Sequence, residues 1–151
     1  MRNRRIALIL GLSLGFAACL LGGGSRDEVG RQPSPSRRLD AVVIETNGGA
    51  TTSFGYEVHV VQKGQPAKKE AKSEVAFLYG ATRSESAYGV KPRWESDSEL
   101  VIEFFSVKQL IRKVKDVRVA GTKVNVTLRG GVKDPSAPGG GMLYNLRRGA
   151  Q

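Results

Sequence analysis

The chain has 151 residues and is basic, with 24 Lys and Arg against 14 Asp and Glu for a formal charge of +10. That length allows about one domain beyond any leader. It contains one cysteine and one histidine, which excludes an intramolecular disulfide and leaves little of the thiolate or imidazole that transition metals prefer.

Chain order begins with Arg2, Arg4 and Arg5 ahead of an apolar run over residues 6–21. Cationic side chains stay on the cytoplasmic face while an apolar stretch enters the translocon. The run is short of the roughly 20 apolar residues of a stable membrane span, so residues 1–18 are read as a signal peptide. Phe16-Ala17-Ala18-Cys19 resembles a bacterial lipobox, with Phe16 where leucine is usual. The resemblance implies acylation of Cys19 and a membrane anchor in the cell envelope facing the periplasm. Cleavage at a nearby small residue, giving a free periplasmic or secreted protein, is the alternative. The leader arginines account for three of the ten positive charges, leaving +7 from Cys19 onward. That balance favours anionic lipid or an acidic polymer as partner. Export sets nucleic acid aside.

Residues 19–38 read as a flexible tether. Three glycines, then Ser25, Arg26, Asp27 and Glu28, then Pro33-Ser34-Pro35-Ser36 offer little to bury. Residues 39–130 hold nearly all remaining aliphatic and aromatic side chains and form the predicted β domain. Residues 39–45 are a β-branched run ending before Asn47-Gly48-Gly49, a pair tolerant of the positive φ angles of tight turns. Residues 54–62 alternate, with Phe54, Tyr56, Val58 and Val60 toward the core and Gly55, Glu57, His59 and Val61 opposite. Together they predict a hairpin.

A lysine-rich loop over 63–73 precedes a third strand over 74–80, apolar on both faces and so central. Residues 90–95 include Pro92, whose missing N–H predicts an edge or a bulge. Residues 99–105 place Leu100, Ile102 and Phe104 on one face. Val107, Leu110, Ile111 and Val114 have helical spacing, so residues 107–115 admit one short helix or an irregular strand. A final hairpin runs over 117–129, with Val124, Val126 and Leu128 alternating with polar residues. Residues 131–151 read as a disordered basic tail. The fold class is mainly β, an antiparallel sheet or small sandwich of about six or seven short strands.

Three segments carry a family resemblance: Ser34-Pro35-Ser36-Arg37-Arg38-Leu39, Asn47-Gly48-Gly49-Ala50-Thr51-Thr52-Ser53-Phe54, and Trp94-Glu95-Ser96-Asp97-Ser98-Glu99-Leu100-Val101-Ile102. They resemble a group of small bacterial exported proteins of unknown function. Members of that group show a Ser-Pro-Asp-Gly-like lead-in, a Gly-Ala-Thr-Thr segment, and a tryptophan followed by an Asp-containing turn. Ser36 and Arg37 stand in place of the Asp-Gly. The resemblance implies a bacterial envelope location and a β-rich domain, and it transfers no catalytic residues.

Chemistry is sparse. His59 has Glu57 two residues away on its strand face, and a metal site from His59, Glu57 and Glu45 across the hairpin is conceivable. An exposed strand histidine without a role is the preferred reading. Thr51, Thr52 and Ser53 lack a nucleophile elbow and serve a turn. Glu95, Asp97 and Glu99 form a solvated acidic turn. No metal, cofactor or catalytic residue is assigned, and the chain is read as non-enzymatic. The remaining candidate is a basic surface of Lys63, Lys68, Lys69, Lys72, Lys108, Arg112 and Lys113. The resulting expectation is a lipid-anchored β domain acting by binding or structure. The alternatives are a soluble periplasmic module or inhibitor that meets an acidic partner through basic loops, and an undetected hydrolase.

Overall fold

The computed structural model describes residues 24–69 and 71–137. The signal peptide expected over residues 1–18, the expected lipidation site Cys19 and residues 138–151 lie outside the described residues. The described residues form strands and connecting turns, with no helix.

The seven segments expected to be strands all form them: β2 (Leu39–Asn47), β3 (Gly55–Gln62), β4 (Glu74–Tyr79), β7 (Val90–Ser96), β8 (Glu99–Phe104), β10 (Asp116–Val119) and β11 (Thr122–Arg129). Four more join them: β1 (Ser25–Pro33), the two-residue β5 (Arg83–Ser84) and β6 (Ala87–Tyr88), and β9 (Gln109–Lys113). One sheet has the order β1-β2-β3-β4-β9, the second β10-β11-β8-β7, and β5 pairs with β6 as a small hairpin. All pairs are antiparallel except β8 with β11, which run parallel with Leu100 beside Val126. The two large sheets share one core, making a small sandwich. Tyr56, Val58, Val60 and Leu78 from the first meet Leu100, Ile102, Val124 and Val126 from the second.

The hairpin expected from the Asn-Gly signal is β2–β3, with Val43 opposite Val58. Pro92 lies in β7, an edge strand with a register shift at Trp94, where a missing N–H costs no ladder bond. The close packing of β6 requires a glycine. Gly89 has φ +68°, and a Cβ there would stand 2.6 Å from Cε1 of Tyr56.

Two expectations are corrected, and the choice between helix and strand over residues 107–115 is decided for the strand. Residues 25–33 are not tether but β1, paired along β2 from Ser25–Asn47 to Pro33–Asp40 with a bulge between Glu28 and Gly30. The strand has little apolar alternation to announce it; backbone pairing and two arginine anchors hold it. The 107–115 segment is not helical: Gln109–Lys113 pairs with β4 as β9. There, ladder bonds to an open sheet edge replace the helix's internal ones. Residues 131–137 are held against the domain, with Gly131 N–H donating to Phe105 O at 2.9 Å and Asp134 N–H to Ser86 O at 2.8 Å.

Candidate functional site: the covered face of the five-stranded sheet

Period-two alternation turns Asp40, Val42 and Ile44 of β2, and Glu57, His59 and Val61 of β3, away from the shared core. Residues 63–69 and 71–73 cross this face. Ala67 packs on Val42, Ile44 and Val61. Two arginines of β1 hold the crossing segment by its carbonyls: Arg26 Nη1 donates to Ala67 O at 3.1 Å and Arg31 Nη2 to Gln65 O at 3.3 Å. The lysine-rich loop is thus a lid over a sheet face.

Beneath it lies a cluster of charged and titratable groups. His59 is completely buried. Its Nε2 is 3.0 Å from Glu57 Oε2 and its Nδ1 is 3.2 Å from Ser73 Oγ. Arg26 donates to Glu57 Oε2 from Nη2 at 2.6 Å and from Nε at 3.0 Å, and Nη2 stands 3.4 Å from His59 Nε2. Glu74, at the start of β4, completes the cluster: ligand atoms of Glu57, His59 and Glu74 all lie within 4.8 Å of one another. Arg112 of β9 approaches from the far side, its Nε 3.7 Å from Glu74 Oε1.

The two carboxyls of this cluster are tuned in opposite directions. Burial opposes ionisation of Glu57, but hydrogen bonds from Arg26 and His59 outweigh it and hold the carboxyl below its ordinary range. Burial, followed by the neighbouring Glu57 charge, pushes the Glu74 carboxyl up. A second charged group sits along the same face. Arg31 Nη1 donates to Asp40 Oδ2 at 2.7 Å, and Gly64 N–H donates to the same oxygen at 2.9 Å. Burial of Asp40 is outweighed by these two donors, and its carboxyl is lowered.

The expectation of an exposed, idle histidine is therefore wrong in its first half. Alternation shows that His59 leaves the main core, but only the path of residues 63–73 shows that it enters a second, covered layer. Glu45, the third residue of the conceivable metal set, points the other way: its Oε2 accepts from Tyr56 Oη at 2.7 Å and lies 3.9 Å from Arg83 Nη2. Glu74 takes its place, and nothing in the spacing of 57, 59 and 74 signals it. Arg26, Arg31 and Ser73 carry no site signal in the sequence, because they sit in segments that read as tether and loop.

The acidic turn does not bring its carboxylates together. Glu95 pairs with Arg93 and Arg129, Asp97 accepts the Ser36 N–H at 2.8 Å, and Glu99 accepts from Asn125 at 2.6 Å. Thr52 serves a turn, its N–H and Oγ1 both donating to Gly49 O. The basic residues separate. Lys69 and Lys108 flank the end of the sandwich at Ser53, where Lys108 Nζ donates to Ser53 Oγ at 2.7 Å and Lys69 lines a cleft with Arg26, Glu57 and Phe77. Lys63 and Lys72 lie toward the opposite end, each beside Ala120 of the β10–β11 turn. Arg112 and Lys113 belong to β9, exposed along its length, and Lys68 is exposed on the crossing segment. Among known proteins, no family model, no curated protein and no solved structure matches the chain.

Proposed function

We propose that the chain is a non-enzymatic binding domain of the cell envelope, exported by residues 1–18, anchored through acylated Cys19, and engaging an acidic, extended partner along β9. The observation that carries the binding role is the character of that edge. β9 ends the five-stranded sheet, and all five of its residues are exposed. The exposed large apolar side chains of the described residues are Phe105, Leu110 and Ile111, at 37%, 43% and 51% exposure, and all belong to β9 or its approach. Lys108, Arg112 and Lys113 are interspersed with them. An open edge offers main-chain donors and acceptors to an added strand. The local cations select an acidic strand and disfavour a second copy, whose own lysines and arginines would face them.

The non-enzymatic reading is supported by the burial of His59 under residues 63–73 and by the separate pairing of the acidic turn. Anchoring is supported by the leader and by Cys19. Six chain steps from Cys19 to the first residue of β1 reach at most about 21 Å, so an acylated chain keeps the Ser25 end of the sheet beside the membrane.

Two measurements test these halves separately. Intact mass of the exported protein is expected to show acyl mass on a mature N-terminal Cys19; an unmodified start elsewhere removes the anchor. Hydrogen exchange with a synthetic extended peptide rich in Glu and alternating apolar residues is expected to protect amides 109–113. The doubly substituted Leu110→Asp, Arg112→Glu chain should lose that protection. Absence of protection at millimolar peptide, or equal protection by anionic vesicles alone, removes the β9 strand-pairing role.

A further inference from the structure

Glu57, His59 and Glu74 are a set of one imidazole and two carboxylates whose ligand atoms lie within 4.8 Å of one another. His59 is fully buried and Glu57 nearly so. No part of the β9 reading uses them. Ser73 Oγ engages Nδ1 of the ring at 3.2 Å and leaves Nε2 directed at Glu57 Oε2. A metal-binding histidine has this arrangement, in which one nitrogen is held by a neighbouring polar group and the other is presented to the ion.

We propose that Glu57, His59 and Glu74 form a site for a divalent transition ion of the zinc class, and that the Arg26 guanidinium occupies the position of the ion in its absence. One imidazole nitrogen and two carboxylate oxygens give three protein ligands, with a fourth position left for water.

Charge explains the alternation between arginine and metal. With the ring neutral, the two carboxylates are balanced by Arg26 on one side and Arg112 on the other. A divalent cation added to that set overcharges a buried cluster, which is unfavourable in a medium of low polarity. If Arg26 withdraws as the ion enters, the cluster departs from neutrality by only one charge. Arg26 is suited to withdraw. It belongs to the edge strand β1, its side chain is 27% exposed, and it lines an open cleft of about 540 Å³ through which an ion can pass.

The test is titration of the full chain with Zn²⁺ alone, using Cys19→Ser in every sample so that no thiol competes. Isothermal calorimetry gives affinity, and the ring resonances of His59, the sole histidine, report on the ligand. The expected result is one-to-one binding with a shift of the His59 resonances. Glu74→Gln should weaken binding and Ser73→Ala should weaken it by about tenfold, the lower end for loss of a group supporting a metal-bound ring. Arg26→Met is expected to tighten binding, the opposite of what a purely structural role predicts. Unshifted His59 resonances at millimolar Zn²⁺ in both the Cys19→Ser chain and Arg26→Met overturn the site. So does binding that Glu74→Gln leaves unchanged. If Arg26→Met does not fold, the Cys19→Ser and Glu74→Gln titrations decide the matter by themselves.

Discussion

At the scale of single residues, the covered sheet face concentrates the chain's electrostatic cost. The Asp40 carboxyl is depressed in the folded state, so its contribution is present above its unfolded value of about 3.9 and disappears as pH falls through the lower folded value. Asp40→Asn is expected to cost about 1–3 kcal/mol at pH 7, the penalty for an imperfectly matched buried donor set. Chemical denaturation at pH 7 and pH 2 checks this, since the difference between variant and parent should shrink at the lower pH. Glu74 has the opposite sign. Its carboxyl is raised on folding, so ionisation works against the fold above its unfolded value of about 4.3. Glu74→Gln is expected to stabilise the metal-free chain at pH 7, with the gain fading below pH 4. An equal gain at both pH values would mean that packing, not charge, is responsible. Arg37 belongs to the same scale. It adopts φ +57° in the turn that Ser34 closes by accepting the Arg37 N–H. An L-residue pays roughly 1–2 kcal/mol for that conformation. Arg37→Gly is therefore expected to raise stability by about 1 kcal/mol, measured by thermal or chemical unfolding.

At the scale of elements, β1 and β9 are the two edges of the larger sheet, and both were difficult to see in sequence for the same reason. A strand in the middle of a sheet is buried on its faces and announces itself by apolar alternation, as β3 and β8 do. An edge strand depends on its neighbour's backbone and needs little apolar content of its own. β1 carries Val29 as its one large aliphatic residue; Arg26 and Arg31 secure it through Glu57 and Asp40. Hydrogen exchange distinguishes this strand from a tether. Amides of residues 25–33 directed at β2 are expected to exchange far more slowly than those of an open chain. Exchange at open-chain rates across the segment would contradict the pairing. β9 held both helical spacing and strand composition. Val107 and Val114 at its margins pack on the core while Leu110 and Ile111 between them do not. The four apolar positions therefore do not share one buried face, the condition on which the helical reading depended.

At the scale of the whole molecule, the correction to β1 changes what an anchor does. A tether ending at residue 38 would allow the domain to roam. A chain that is in a strand by Ser25 holds one end of the sandwich near the membrane when Cys19 carries lipid. In the register of the larger sheet that end holds Ser25, Asn47, Gly55, Tyr79 and Gln109. Lys108 lies there, whereas Lys63 lies at the other end. Amine labelling of the acylated chain on vesicles is expected to lower the reactivity of Lys108 relative to detergent while sparing Lys63. Equal change at both lysines would remove this orientation.

The division between sequence and tertiary structure follows from range. Alternation, β-branched runs and turn residues are local, so the seven expected strands, the β2–β3 and β10–β11 hairpins and the edge position of Pro92 were all legible in the residues themselves. So was the inward set Tyr56, Val58, Val60, Leu100, Ile102, Val124 and Val126. The parallel meeting of β8 and β11, the path of residues 63–73 and the convergence of Arg26, Glu57, His59, Ser73 and Glu74 were not. Those depend on contacts between residues far apart in sequence, as from Arg26 to Ala67, 41 positions away, and no local period encodes which segment will cover a sheet face. The same alternation that placed His59 opposite the core was satisfied by water or by a lid, and only the folded chain supplied the lid.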